Sequence, residues 1–162
     1  MKFISFKDWL NEEVWNKDIM GTSFKGKGKI EANVGELVKF IKNGKYPIKD
    51  YNVKELYDLG FGKHISDPNY LKTVNIFDKK TNKWVKFYDL PEEKQKAQIE
   101  IFKKRIMKSN LKYPLLVAED DGKPGALVDG NHRLEKAYLT KQAMIKGYVI
   151  PWNDLYKKFG KK

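Results

Sequence analysis

The segment from Leu127 to Ala137 restricts the fold more than any other part of the sequence. A short apolar strand ends in Asp129-Gly130, and a helical pattern begins at once with Asn131. The backbone N–H groups in the first turn of a helix have no acceptor within the helix, and the helix dipole is positive there. A glycine before that turn lets a ligand approach the backbone. The segment therefore predicts an α/β arrangement with an anion-binding turn.

Helical and strand patterns along the rest of the chain agree with this arrangement. We predict a single α/β (α+β) domain with a small mixed sheet and flanking helices, in which a helical N-terminal region (1–72) packs on a core (73–162). Residues 20–30 read as a glycine- and lysine-rich loop. The predicted helices are 6–16, 33–44, 52–59, 91–108, 131–139 and 152–159, and the predicted strands are 73–77, 84–88, 115–119, 126–129 and 145–150.

The charge of the chain is strongly positive, with 33 Lys or Arg against 21 Asp or Glu and a net charge of +12. Such a field attracts polyanions. However, only Arg105 and Arg133 are arginines, whereas surfaces that read nucleic acid usually rely on the bidentate guanidinium. Two interpretations stay open: a solvated lysine surface that reflects coding bias, or a nucleic-acid surface. The lysines we assign to the second are Lys25, Lys27, Lys29, Lys157 and Lys158.

The residue types that the chain lacks exclude several functions. Without cysteine there is no disulfide framework, thiolate zinc site or cysteine catalysis, and two histidines exclude a multi-histidine metal site. No apolar stretch approaches the ~18–20 residues of a membrane span, and the N-terminus lacks the pattern of a secretory signal. We therefore expect a cytoplasmic protein that does not contact membranes.

The turn itself carries the candidate chemistry, because one of two histidines and one of two arginines lie side by side on it. Arg133 is expected to clamp phosphate oxygens, and His132 to act as a proton donor or acceptor. Asp129 is expected to orient His132 or to hold Mg²⁺ through water. The alternative is a structural turn, with Asp129 as a helix cap and the next two charged residues on the surface.

This segment resembles the ParB/sulfiredoxin superfamily. The resemblance comprises Lys112-Tyr113-Pro114-Leu115-Leu116-Val117, a turn, and then Leu127-Val128-Asp129-Gly130-Asn131-His132-Arg133-Leu134-Glu135-Lys136-Ala137, with a helix over 91–108 ahead of them. It covers about residues 89–151. A glycine–x–histidine/arginine–arginine turn between a strand and a helix is typical of the family.

The resemblance implies that Gly130, Asn131, His132 and Arg133 bind the phosphates of a nucleoside di- or triphosphate, with Mg²⁺ as cofactor. Sulfiredoxins carry their catalytic cysteine where this chain has Asn131, so sulfinic-acid reduction is excluded. We also expect no helix-turn-helix DNA reader, because only residues 152–162 follow the last predicted strand.

The remaining branches are a nuclease or nucleoside triphosphatase linked to nucleic acid, with His132, Asp129 and Arg133 as catalytic residues, and a free-amino-acid-type kinase. The kinase needs an upstream carboxylate, for which Glu31 and Glu36 are candidates. A non-catalytic DNA- or protein-binding module is a further alternative. Small size and composition suit a phage or mobile-element protein, which would act in the host cytoplasm.

Weaker candidates lie elsewhere in the chain. The loops 26–29 and 60–64 superficially resemble phosphate loops, but we interpret both as ordinary loops. His64 is a possible second imidazole at the site, and the carboxylates of 119–121 a possible site for a divalent ion. Five aromatic residues could stack on bases, although their spacing favours the core: Trp9, Trp15, Trp84, Tyr88 and Trp152.

Overall fold

The computed structural model describes residues 19–62 and 67–162, and it confirms the α+β class, with small sheets and flanking helices. The described helices are α1 (Val34–Gly44), α2 (Val53–Asp58), α3 (Pro68–Leu71), α4 (Glu92–Lys108), α5 (Asn131–Leu139) and α6 (Trp152–Phe159). The described strands are β1 (Ile19–Phe24), β2 (Gly28–Asn33), β3 (Ile48–Asn52), β4 (Asn75–Asp78), β5 (Lys83–Lys86), β6 (Leu115–Asp120), β7 (Lys123–Asp129), β8 (Met144–Pro151) and β9 (Gly160–Lys161).

A four-stranded mixed sheet of order β3-β8-β6-β7 forms the centre of the fold. Strand β6 runs parallel to β8 and antiparallel to β7, while β3 pairs antiparallel with β8. Residues 115–119 of β6 are all buried, which agrees with the continuous apolar run in the sequence. The sheet therefore has a covered layer on each face.

The two faces of this sheet carry separate apolar clusters. On one face, Leu116, Ala118 and Ile150 pack with residues of α1, β2 and α6, including the buried Trp152. On the other face, Leu115 and Val117 pack with residues of α2 and α5. Because strand side chains alternate between faces, β6 supplies both clusters. This arrangement places α5, which follows the predicted anion turn, directly on the sheet.

Two smaller sheets surround the central one. Strands β1 and β2 form an antiparallel hairpin, and β9 at the C-terminal end joins β2. Strand β1 lies beside β7, where the Thr22 hydroxyl donates to the Leu127 carbonyl at 3.4 Å. Strands β4 and β5 form an isolated hairpin, as the sequence predicts.

The N-terminal region differs from its prediction. Residues 20–30, predicted as a loop, belong to the β1–β2 hairpin, and β3 is an additional strand that pairs with β8. Residues before position 73 therefore contribute strands to two sheets, rather than only helices packed on a core. The short helix α3 was also not predicted. The predicted helix over 6–16 lies outside the described residues. Among the described helices, none has the length and apolarity needed to cross a membrane.

Candidate functional site

The turn between β7 and α5 has the predicted geometry. Strand β7 ends at Asp129, Gly130 adopts φ +111°, and α5 begins at Asn131, with the Leu134 N–H donating to the Gly130 carbonyl at 2.9 Å. Gly130 is buried, and a β-carbon there would lie 2.5 Å from Leu115 Cδ2. Backbone conformation and packing therefore both require glycine at this position.

Arg133 is held inside the protein. Its residue is 1% exposed, and its Nη2 donates to Asp129 Oδ2 at 2.9 Å and to the Pro114 carbonyl at 3.3 Å. The guanidinium also lies against Gly130, because a β-carbon on that glycine would be 3.1 Å from Nη2. Arg133 is expected to clamp a phosphate; in the structure its Nη2 faces a carboxylate and a carbonyl, so it also fixes the shape of the turn.

His132 lies on the outer side of the turn, where the residue is exposed but part of its imidazole is covered by the protein. Partial burial of its imidazole and the charges of Arg105 and Arg133 lower the pKa of His132 below its ordinary 6.5, against a smaller opposing effect of Asp129. The imidazole is therefore mostly neutral at pH 7. Both arginines of the chain contribute to a positive potential at this side chain.

Helix α4 brings Arg105 to the site, and two contacts fix the end of that helix against α5. Lys136 Nζ donates to the Ser109 carbonyl at 2.8 Å, and Ser109 Oγ donates to the His132 carbonyl at 3.4 Å. No local pattern in the sequence indicated Arg105, because its approach depends on how α4 and α5 pack. It is the functional residue that our sequence reasoning missed.

The loop after α2 meets the same turn. The Gly62 N–H donates to Asn131 Oδ1 at 3.2 Å, and Phe61 packs against the cluster that contains Leu134. The structure thus joins two segments that are separate in the sequence, at 61–62 and 129–133. The side chain of Asn131 is engaged in this contact. His64 lies outside the described residues.

The predicted lysine surface is only partly available to a polyanion. Lys27 pairs with Asp120 at 3.0 Å, and Lys29 lies 3.7 Å from Glu31. Lys25, Lys157 and Lys158 are exposed. Pairing of β2 with β9 brings the 25–29 loop close to the C-terminal residues.

The carboxylates of residues 119–121, a possible site for a divalent ion, do not converge on one point. Glu119 is 5% exposed and accepts from the Tyr51 hydroxyl at 2.6 Å and from Lys49 Nζ at 2.9 Å, whereas Asp120 pairs with Lys27. Within residues 19–62 and 67–162, no group of three or more His, Asp or Glu side chains is placed to hold a metal. We therefore interpret 119–121 as structural.

The carboxylates considered for the kinase alternative are engaged in local contacts. For the kinase alternative, Glu31 contacts Lys29 and Lys161, and the Glu36 N–H is capped by Asn33 in the first turn of α1.

Among the aromatic residues, Trp152 is core as expected, but Trp84 and Tyr88 are 70% and 46% exposed, so the core assignment is wrong for these two. Trp9 and Trp15 lie outside the described residues.

The fold and the site define an α+β protein with a glycine turn at a helix N-terminus, stabilised by a buried arginine. Comparison of the chain with protein-family models, with curated proteins and with solved structures gave no match.

Proposed function

We propose that the Gly130 turn binds the phosphate of a nucleoside di- or triphosphate, and that the protein performs phosphoryl-transfer or phosphodiester chemistry linked to nucleic acid. This is the nuclease or triphosphatase branch of the ParB/sulfiredoxin resemblance. The observation that carries the proposal is the glycine turn at the N-terminus of α5, where His132 lies in the first helical turn and Arg105 adds positive potential. Helix dipole and fixed positive charges act there in the same direction.

Three groups would contact the phosphate. The first-turn backbone N–H groups supply hydrogen-bond donors. The exposed Arg105 supplies the charged side chain that contacts the phosphate oxygens, the role first expected of Arg133. His132 is the third group. The first turn of α5 contains no acidic residue that would repel the ligand. The Asp129–Arg133 pair would hold these groups in place without touching the phosphate.

The lowered pKa of His132 keeps its imidazole in the form that accepts a proton at neutral pH, as a general base requires. A mostly neutral imidazole accepts a proton from water or from an acceptor hydroxyl and later returns it to the leaving oxygen. Arg105 would stabilise the charge that develops on the phosphoryl oxygens. In this assignment His132 keeps the catalytic role predicted from the sequence, and Asp129 and Arg133 are positioning residues.

Mg²⁺ remains part of the proposal. Asp129 has one carboxylate oxygen bonded to Arg133, and its side chain is 32% exposed. A single carboxylate fits the common arrangement in which the nucleotide's phosphates and water complete the coordination of Mg²⁺. The ion would neutralise phosphate charge during transfer.

Calorimetric titration with ATP, GTP, CTP and ADP, with and without Mg²⁺, tests the proposal. We expect saturable binding to the wild type and an affinity about 10- to 100-fold lower for Arg105→Ala, since a charged hydrogen bond contributes ~1.5–3 kcal/mol. Lys104→Ala on the same helix is the charge-matched control. Unchanged affinity in Arg105→Ala, or no binding of any nucleotide, would contradict the proposal.

Product analysis of the same mixtures separates the remaining alternatives. Release of inorganic phosphate supports a triphosphatase, cleavage of added nucleic acid supports a nuclease, and phosphate transfer to added amino acids supports the kinase. Nucleotide binding without turnover supports the non-catalytic module. For the first two activities we expect His132→Ala to reduce the rate by ~10²–10⁴-fold.

A further inference from the structure

The β4–β5 hairpin exposes an aromatic pair that the core does not use. Phe77 and Trp84 are opposite each other across the two strands, and their ring centroids lie 5.4 Å apart at 63°. They are 42% and 70% exposed. A third aromatic side chain, Tyr88, follows the hairpin and is also exposed. Because these exposed aromatic side chains are clustered and not scattered singly, we treat them as a candidate contact surface.

Contacts at the base of the hairpin hold its two strands and the segment that follows them. Phe87, next to Tyr88, is buried, and its N–H donates to the Val74 carbonyl at 2.9 Å. Gln95 of α4 donates to the Leu90 carbonyl at 2.8 Å behind it. Strand pairing thus brings Phe77 and Trp84 together without a ligand, and such preorganisation favours affinity.

The segment that contains the aromatic pair is rich in positive charge. Residues 72–108 contain eleven Lys or Arg and five Asp or Glu, so this segment carries +6, half of the +12 of the whole chain. In the described part of the structure, no carboxylate forms an ion pair with any of the four lysines on the hairpin: Lys79, Lys80, Lys83 and Lys86.

The one carboxylate within the hairpin, that of Asp78, caps the turn. Asp78 accepts the Lys80 N–H and the Thr81 hydroxyl, each at 3.0 Å. These bonds, first that of Lys80, lower the pKa of Asp78, and Lys94 of α4 adds a smaller effect. The carboxylate therefore stays ionised at neutral pH and stabilises the turn, and the four lysines outnumber it, so the hairpin carries a net positive charge.

We propose that this hairpin binds single-stranded nucleic acid, with bases stacked on Trp84 and Phe77 and backbone phosphates against the lysines. Aromatic faces between free cations match a ligand that alternates π-faces with negative charges. A duplex hides its base faces within its own stack, so it offers phosphates and base edges but no face for stacking. The hairpin thus differs from the 25–29 and 157–158 surface, which offers charge alone.

The inference deepens the nucleic-acid part of the proposed function by naming the form of nucleic acid and the surface that holds it. It does not depend on the phosphate-binding turn. If oligonucleotide binding is absent while nucleotides still bind, only the hairpin inference fails. If oligonucleotides bind while nucleotides do not, only the proposed turn fails.

Fluorescence anisotropy of labelled oligothymidylate, titrated with the full chain at several salt concentrations, tests the inference. We expect Trp84→Ala to weaken binding about 5- to 150-fold, the range of ~1–3 kcal/mol per stacked base, and Trp84→Phe to retain most of the affinity. The side chain is exposed, so both variants should keep the wild-type circular dichroism spectrum. A labelled duplex should bind with little dependence on Trp84.

Paired lysine variants test which lysines contact the phosphates of the oligonucleotide. Lys79→Ala/Lys80→Ala should reduce the log–log salt slope by about 1.4, at ~0.7 per phosphate on a single strand, whereas the matched pair Lys157→Ala/Lys158→Ala should leave it unchanged. Absence of binding at low salt, equal binding by Trp84→Ala, or a slope that depends only on Lys157 and Lys158 would each overturn the inference. Polyglutamate that competes for Trp84 as well as the oligonucleotide does would also overturn it, in favour of an acidic protein partner.

Discussion

Replacing Gly130 by alanine tests the geometry on which the candidate site depends. At φ +111° an L-residue costs ~1–2 kcal/mol. The new β-carbon would lie 2.5 Å from Leu115 Cδ2 and 3.1 Å from Arg133 Nη2, and such overpacking costs a further ~1–3 kcal/mol. We therefore expect a loss of about 2–5 kcal/mol in the free energy of unfolding. At about 2–4 °C per kcal/mol, the melting temperature falls by about 4–20 °C.

Gly60→Ala is the matched control for this prediction. Gly60 has a similar φ of +98°, but a β-carbon added there would meet no atom beyond its chain neighbours within 4 Å, so only the backbone cost applies. Both substitutions restrict the unfolded chain equally, and this contribution cancels in the comparison. Urea unfolding followed by circular dichroism measures both variants. If Gly130→Ala loses no more stability than Gly60→Ala, the close packing of the turn on Leu115 and Arg133 is refuted.

Three further predictions concern buried and titrating groups. Arg133→Met breaks a buried ion pair, and we expect a loss in urea unfolding near the lower end of ~3–5 kcal/mol, since its partner carboxylate keeps contact with water; stability equal to the wild type would contradict this role. Burial, with a smaller contribution from Glu119, raises the pKa of Tyr51, so the stability gained from its neutral hydroxyl is present below pH ~10 and is lost as the pH rises further. Tyr51→Phe should therefore flatten the alkaline decline in the free energy of unfolding. The pKa of His132 is lowered, so on acidification the unfolded chain binds the proton before the folded chain does, and the free energy of unfolding declines as the pH falls below ~6.5. Arg105→Ala should raise the pKa of His132 in an NMR titration, and an unchanged value would show that the two side chains do not interact.

Local signals predicted the elements around the site. Helix α5 was predicted with its observed bounds, since Gly130 marks its start and the apolar spacing of Leu134 and Ala137 marks its buried face. Strands β1 to β3 offered weaker signals. In β2 only Ile30 and Ala32 are buried, and in β3 only Tyr51. Strand β3 pairs with β8, and β2 also pairs with β9, and a local pattern does not contain such distant partners.

The site was predicted in position but not in the role of each residue. The sequence placed His132 and Arg133 on the turn, but nothing local shows that the guanidinium points inward to Asp129 or that α4 delivers Arg105. The exposed Trp84 shows the same limit, because alternation along a two-stranded hairpin does not tell which face is covered. Side-chain direction and helix packing are tertiary properties, and they decided these three assignments.

The pKa of His132 during nucleotide binding tests the central claim most directly. The chain has two histidines, so His64→Gln assigns their imidazole proton resonances in NMR spectra. A phosphate held by the first turn of α5 adds negative charge beside His132 and favours its protonated form. We predict that saturating ADP raises the pKa of His132, and that the rise is smaller in Arg105→Ala. A pKa of His132 that stays the same when ADP is bound would contradict the account.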